Sequence, residues 1–295
     1  MTTAPARESI DGEDIEYLLR AGDGRLAVLF HGGHMRADLE IGHETFLAAG
    51  WSVLHPSRPG YGRTPLNAGV EVAQFADRIA TLCTQLGYRE VIAVGVSAGG
   101  RTAMTFAARH PRLVTGLILE SATSFLPWPS RSTRAVARVA FRPGIERVTW
   151  AMTRLLFRTL PAFALRRMLT SLSTMRPAVA YERLDAAERA TLVDLLARMR
   201  SGSGFLNDLR QVDDVTRDIV QPTLVVASRS DGAVPLDHAH ALAGSIPNAE
   251  LVLTDAVSHF LWIGPHAEDE RRAVTSFLTR LPRSETDDCT RPGAD

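Results

Sequence analysis

Short, almost uninterrupted apolar runs take turns along this chain with stretches whose apolar residues recur every three or four positions. LAVLF at Leu26 to Phe30, the run inside GWSVLHP, REVIAVGVS, LVTGLILES, TLVVAS and AELVLTDA are too short for buried helices and read as buried strands. Between them, Val72, Phe75, Ile79, Leu82 and Leu86 make the stripe of an amphipathic helix, and AGGRTAMTFAARHP, DHAHALAGSIP and HAEDERRAVTSFLTRL are also helical in pattern. Strands that alternate with helices form a mostly parallel sheet covered on both faces, so the expected class is a doubly wound α/β fold. DIEYLLRAGDGRLAVLF predicts a hairpin, two strands about a Gly-Asp-Gly turn.

The alternation stops near Ser124 and resumes near Gln221. The interval is helical in period, with Val148, Met152, Leu155 and Leu156 on one stripe and Leu192, Leu195, Leu196 and Met199 on another. The expected organisation is a core of residues 1–123 and 206–282, an inserted helical lid at 124–205, and a polar, disordered tail at 283–295. The insertion holds 14 arginines against five acidic residues, a net of +9 that the rest of the chain balances with −9. Arg131, Arg134, Arg138 and Arg142 step along one helical face. A solvated surface explains such a face; an anionic substrate, an anionic acyl carrier such as a phosphopantetheine-linked acyl group, or anionic lipid would also match it.

The 33 basic and 33 acidic residues cancel, which leaves no global field for nucleic acid. Every basic residue is arginine, a habit that suits a GC-rich bacterial coding sequence. Cys83 and Cys289 form no disulfide framework, the first residues have no apolar leader, and no stretch approaches the roughly 18 apolar residues of a membrane span. The sequence therefore predicts a cytoplasmic protein with no transmembrane segment, acting on a small molecule.

The chemistry concentrates at VGVSAGG, where a strand turns directly into a helix through Gly95, Ser97 and Gly99. A tight strand-to-helix turn lifts a serine hydroxyl clear of the sheet edge, beside the free amides and positive end of the helix. A serine becomes a nucleophile only with a base and an orienting acid. Asp231 after TLVVAS and His259 after AELVLTDA follow later strands, giving the order Ser, Asp, His. Glu120, at the end of LVTGLILE, is the alternative acid.

These residues, with HGG at His31 to Gly33, SRPGYGRT at Ser57 to Thr64, SDGAVP at Ser230 to Pro235 and SHF at Ser258 to Phe260, resemble the α/β-hydrolase superfamily in its lidded esterase, lipase and peptidase-like branch. The resemblance spans roughly residues 13 to 123 and 205 to 280. It implies Ser97 as nucleophile, Asp231 as orienting acid, His259 as base, and the amides of Gly33 and Ala98 as the oxyanion hole. It also implies hydrolysis of an ester, lactone or thioester without cofactor or metal. Lyase, cofactor-free oxygenase or cyclase chemistry, and a ligand sensor, are the other classes that such a fold supports. Ser228 and Ser258 stand where such proteins often carry glycine, a departure that bears on substrate choice. His34 is expected to face substrate, and the helical interval to roof the pocket with Trp150, Met152, Leu155, Phe157 and Met168.

Other residues read more plainly. His31 and His34 form HxxH, but two glycines in a loop suit backbone donors better than a metal pair. His238 and His240, two apart on a helix, face different ways and read as packing or surface residues. Asp255 reads as a loop cap, Arg58 as a structural arginine in a turn rather than a substrate anchor, and Cys83 as core.

Overall fold

The computed structural model describes residues 4–210 and 213–282; the expected tail at 283–295, with Cys289, lies outside them. In chain order the elements begin with β1 (Ala6–Ile10), β2 (Glu13–Arg20), β3 (Leu26–Phe30), α1 (Glu44–Ala48) and β4 (Ser52–Pro56). They continue with α2 (Val72–Gln85), β5 (Val91–Val96), α3 (Gly100–Arg109) and β6 (Val114–Glu120). Six helices follow: α4 (Arg131–Ala140), α5 (Ile145–Thr159), α6 (Pro161–Leu172), α7 (Pro177–Arg183), α8 (Ala186–Arg198) and α9 (Gly204–Asp208). The chain then returns to the sheet through β7 (Thr223–Ser228), α10 (Leu236–Ser245), β8 (Ala249–Thr254) and α11 (Ala267–Arg280).

The strands form one eight-stranded sheet in the order β1-β2-β4-β3-β5-β6-β7-β8, antiparallel at β1, β2 and β4 and parallel from β4 onward. Its central strands β3 and β5 are apolar throughout because both faces are covered. Leu26, Val28, Phe30, Val91 and Ala93 pack toward α2, α3 and α10, where Phe30 meets Phe75 and Phe106 edge to face. The alternate residues Ala27, Leu29, Ile92, Val94 and Val96 pack toward α1 and α11, against Phe46, Val274 and Phe277. Neighbours in a strand point to opposite faces, so two cores consume every position.

One expected pairing is wrong. β2 and β3 do not form a hairpin, because β4 lies between them, pairing antiparallel with β2 and parallel with β3. The hairpin is β1 with β2, turning at Asp11 and Gly12, both at positive φ. The Asp-Gly pair was the better turn signal, and the mostly exposed β1 lacked the apolar pattern that marks a strand.

The helices α4 to α9 carry their own core. Trp150, Phe157, Leu165, Leu169 and Leu192 pack with Met35, Leu39 and Ile41 from the loop after β3, and with Val257, Phe260 and Ile263 from the loop after β8. Leu192, Leu195, Leu196 and Met199 are buried as their spacing predicts. The other stripe is reversed: Val148, Met152 and Leu155 are exposed, and α5 buries Glu146, Trp150 and Phe157 instead.

Candidate active site

Ser97 directly follows β5 and has φ +51°, a left-handed conformation that costs a non-glycine residue on the order of 1–3 kcal/mol. The turn is held from two sides. The Ser97 carbonyl accepts from the Thr123 amide at 2.9 Å, and the turn presses so closely on β3 that a Cβ at Gly99 would stand 2.1 Å from the Phe30 carbonyl oxygen. Glycine is required there by close approach, which is what the spacing of the motif encodes.

Asp231 follows β7 and His259 follows β8. His259 Nδ1 lies 2.8 Å from Asp231 Oδ2, while Asp231 Oδ1 accepts from the amides of Ala233 at 2.8 Å and Val234 at 2.9 Å. Both side chains are buried, at 9% and 2% exposure. The loop after β6 links this pair to the serine: Ser121 Oγ donates to the His259 carbonyl at 3.1 Å, two residues before the Thr123 that holds Ser97. The two departures from the family pattern brace the same loops. Ser228 Oγ donates to the Ala256 carbonyl at 2.6 Å and accepts from the Ser230 amide at 2.9 Å, and Ser258 Oγ accepts from the Phe260 amide at 3.3 Å.

The insertion reaches these loops through its backbone. The Leu172 carbonyl, at the end of α6, accepts from the amides of His259 at 2.8 Å and Gly232 at 3.2 Å, and the Thr174 amide donates to the Ser230 carbonyl at 2.9 Å. Ser173 Oγ donates to the Val257 carbonyl at 2.6 Å. Nothing in the sequence signals this clamp, because its key acceptor is a main-chain oxygen.

Glu120 is turned elsewhere. It is fully buried on the face of the sheet that α11 covers, beside Glu270 and Trp262. Burial first, and Glu270 second, push its carboxyl well above the usual range; burial likewise raises Glu270 to about 7. Asp255 is not a loop cap but an exposed partner of Arg229; the Thr254 hydroxyl caps that turn by accepting from the Ala256 amide. His238 is buried with Nδ1 against Ser124, His240 is exposed, and the Cys83 thiol is pushed up to about 12 by burial.

The loop that carries Gly33 passes the serine so closely that a Cβ at Gly32 would lie 3.1 Å from Ser97 Cβ. Arg58 fixes it. Its Nε donates to the His31 carbonyl at 2.8 Å, its Nη2 to the Gly32 carbonyl at 3.2 Å, and its fork grips Asp208 of α9 at 2.5 and 2.8 Å. Tyr61 also donates to Asp208, at 2.5 Å. Burial works against the charge on Arg58, but Asp208 and Tyr61 outweigh it and hold the guanidinium above its ordinary range. Arg58 is thus the structural arginine expected, and Asp208 is the partner that sequence reading missed. His31 accepts from the Arg58 amide at Nε2 and donates from Nδ1 to the Gly32 carbonyl, so its role is to shape the loop.

His34 sits among Phe205, Phe141 and Trp150, with ring centroids 4.0, 4.9 and 5.1 Å away. Burial, then Arg58, lowers it to about 3, so it is neutral at physiological pH. Trp150 Nε1 donates to Ser201 Oγ at 2.8 Å, and the same hydroxyl lies 2.7 Å from His34 Nδ1. Glu146, also missed, holds the amides of Ser201 and Gly202. Of the other expected liners, Phe157 is buried and Met168 half-buried within the insertion, whereas Met152 and Leu155 face outward. Glu40, His43 and His55 place ligand-type atoms within 4.8 Å of one another, but Arg20 already donates to both oxygens of Glu40.

The chain is similar to an uncharacterized hydrolase of Bacillus subtilis, YcgS, at 31% identity over 92% of this chain and 96% of that one. It is 26% identical to a 2-hydroxy-6-oxononadienedioate/2-hydroxy-6-oxononatrienedioate hydrolase of Cupriavidus pinatubonensis, over 80% of this chain and 78% of that one. Among solved structures, an alpha/beta hydrolase fold protein from Nakamurella multipartita matches with a TM-score of 0.78 at 23% identity, over 93% and 99% of the two chains. A family model described as alpha/beta hydrolase fold matches residues 28–264, and with these relatives it shows that the chain belongs to the α/β hydrolase fold family.

Proposed function

We propose that the chain is a serine hydrolase that cleaves an ester, lactone or thioester of a small organic molecule through an acyl-enzyme. The observation that carries this reading is the 2.8 Å Asp231–His259 pair, tied through the loop after β6 to a serine in a left-handed turn. His259 Nε2 takes the proton of Ser97 as Oγ attacks the carbonyl carbon, and Asp231 accepts from Nδ1–H and balances the imidazolium. The amides of Gly33 and Ala98 receive the oxyanion; one good donor of this kind contributes about 2.7–4 kcal/mol. His259 then protonates the leaving group and activates the water that releases the acid. Arg58 and Asp208 serve this step by holding the Gly33 loop, and α4 to α9 act as the lid over it. No step uses a metal or cofactor.

The name of the Cupriavidus relative raises a second reading, hydrolysis of a 2-hydroxy-6-oxo-dienedioate. That substrate carries two carboxylates, and the arginines flanking the serine turn are engaged: Arg58 by Asp208, and Arg101 by the carbonyls of Ser124, Leu126 and Arg210. This favours a substrate without a second carboxylate. The test is turnover of p-nitrophenyl esters, γ-lactones and acyl-thioesters beside a 2-hydroxy-6-oxo-dienedioate, with Ser97→Ala as control. Hydrolysis of the first group that Ser97→Ala loses supports the proposal. Activity retained in Ser97→Ala would instead indicate lyase, oxygenase or cyclase chemistry, and turnover of the dienedioate alone would indicate the second reading.

A further inference from the structure

Large exposed apolar side chains are, among the described residues, confined almost wholly to the insertion. Among the described residues, every large hydrophobic one that stands exposed, except Val220, lies between Leu126 and Val179. On α5, Val148, Met152 and Leu155 recur at steps of four and three and are 61%, 60% and 52% exposed, opposite the buried Trp150 and Phe157. The helix is apolar on two sides and this chain covers only one of them. Val136 and Val139 of α4, Leu160 before α6, and Phe163 of α6 extend the surface onto the helices that pack against α5.

Arginines are interspersed with these side chains. Arg131, Arg138, Arg142, Arg147, Arg158 and Arg167 are exposed, in a segment whose net charge is +9. Beside them, a groove of about 610 Å³ between α5, α6 and α8 is lined by Phe157, Leu165 and Val193 and by Arg154, Arg158 and Arg189, with its one carboxylate, Asp194, paired to Arg198. An apolar stripe flanked by cations, on helices that lie side by side, is the composition of a surface that rests in a lipid headgroup layer.

We propose that the outer face of α4, α5 and α6 docks on an anionic phospholipid bilayer, with Val148, Met152, Leu155 and Phe163 entering the headgroup region and the arginines meeting lipid phosphates. A second copy of the chain about a two-fold axis would set this arginine-rich face against itself. A protein partner would call for an interface core depleted of charge, whereas here exposed arginines such as Arg147 and Arg158 flank the apolar stripe of α5 directly. Guanidinium forks match phosphate oxygens, and the apolar side chains suit a fluid interface that needs no shape complement. The inference does not depend on the reaction at Ser97.

The test is sedimentation of the untagged full chain with vesicles of phosphatidylcholine alone or mixed equally with phosphatidylglycerol. The chain is expected to pellet with the phosphatidylglycerol vesicles at about 50 mM salt and to be largely released at about 500 mM. Arg147→Gln and Arg158→Gln should each weaken binding by about fivefold, and Met152→Asn with Leu155→Asn should weaken it at both salt levels. All four sites are exposed, and an unchanged Tm confirms that the variants fold. Failure of the wild type to pellet with phosphatidylglycerol, or equal pelleting of the variants, overturns the proposal. So does a dimer in sedimentation velocity that Met152→Asn with Leu155→Asn dissociates, or binding of a purified acidic acyl carrier protein without vesicle binding.

Discussion

Glu120 ends β6 and Asp231 follows the neighbouring parallel strand β7, and the sheet sends them to different places. Asp231 meets His259 with three polar contacts on its carboxylate, while Glu120 lies behind the sheet against Glu270. Asp231→Asn is therefore expected to lower kcat by roughly 10⁴, since the amide favours the wrong imidazole tautomer. Glu120→Gln, which replaces a carboxyl that burial keeps protonated, should leave kcat within about threefold. Steady-state kinetics on one ester decides between them, and the reverse pattern would make Glu120 the acid. Arg58 offers a second contrast. Lysine keeps the charge but cannot serve two carbonyls and both oxygens of Asp208, so Arg58→Lys should reduce kcat/KM by about 10- to 100-fold through a misplaced Gly33 loop.

Helix α5 shows why local patterns take a reading only part of the way. Its sequence has two apolar stripes, and spacing alone cannot say which one meets the core; the structure buries Trp150 and Phe157 and leaves Met152 and Leu155 outside. Phe157→Ala should cost about 3–5 kcal/mol in urea denaturation, and Met152→Ala no more than about 0.5. Strands β3 to β7 were legible because burial on both faces leaves them mostly apolar, and the positions of Ser97, Asp231 and His259 because each lies in a loop that follows a strand. Asp208 was not, since it meets Arg58 across 150 intervening positions. The Leu172 carbonyl was not, because a backbone oxygen leaves no mark on the sequence.

The molecule is built on one sheet, with Ser97, Asp231 and His259 in the loops after β5, β7 and β8, and its burial of titratable groups sets how it responds to pH. His31, His34, His55 and His238 are each lowered by burial, to about 3 for His34 and His55 and about 4 for His238. Their stability contribution is present above the unfolded value of 6.5 and is lost as pH falls below it. Glu270 is raised to about 7 and Glu120 is raised with it, so their contribution is present below the unfolded value of 4.5 and is lost as pH rises through 7. Tm should peak near pH 6.5 to 7, with Glu270→Gln flattening the alkaline side; a profile that rises steadily to pH 9 would contradict this balance. The proposed chemistry requires an activated Ser97, and a fluorophosphonate probe reads that directly by intact mass and peptide mapping. One adduct on Ser97, absent from Ser97→Ala and strongly slowed in His259→Ala, is the predicted result. A folded wild type that stays unlabelled, or labels elsewhere, would contradict it.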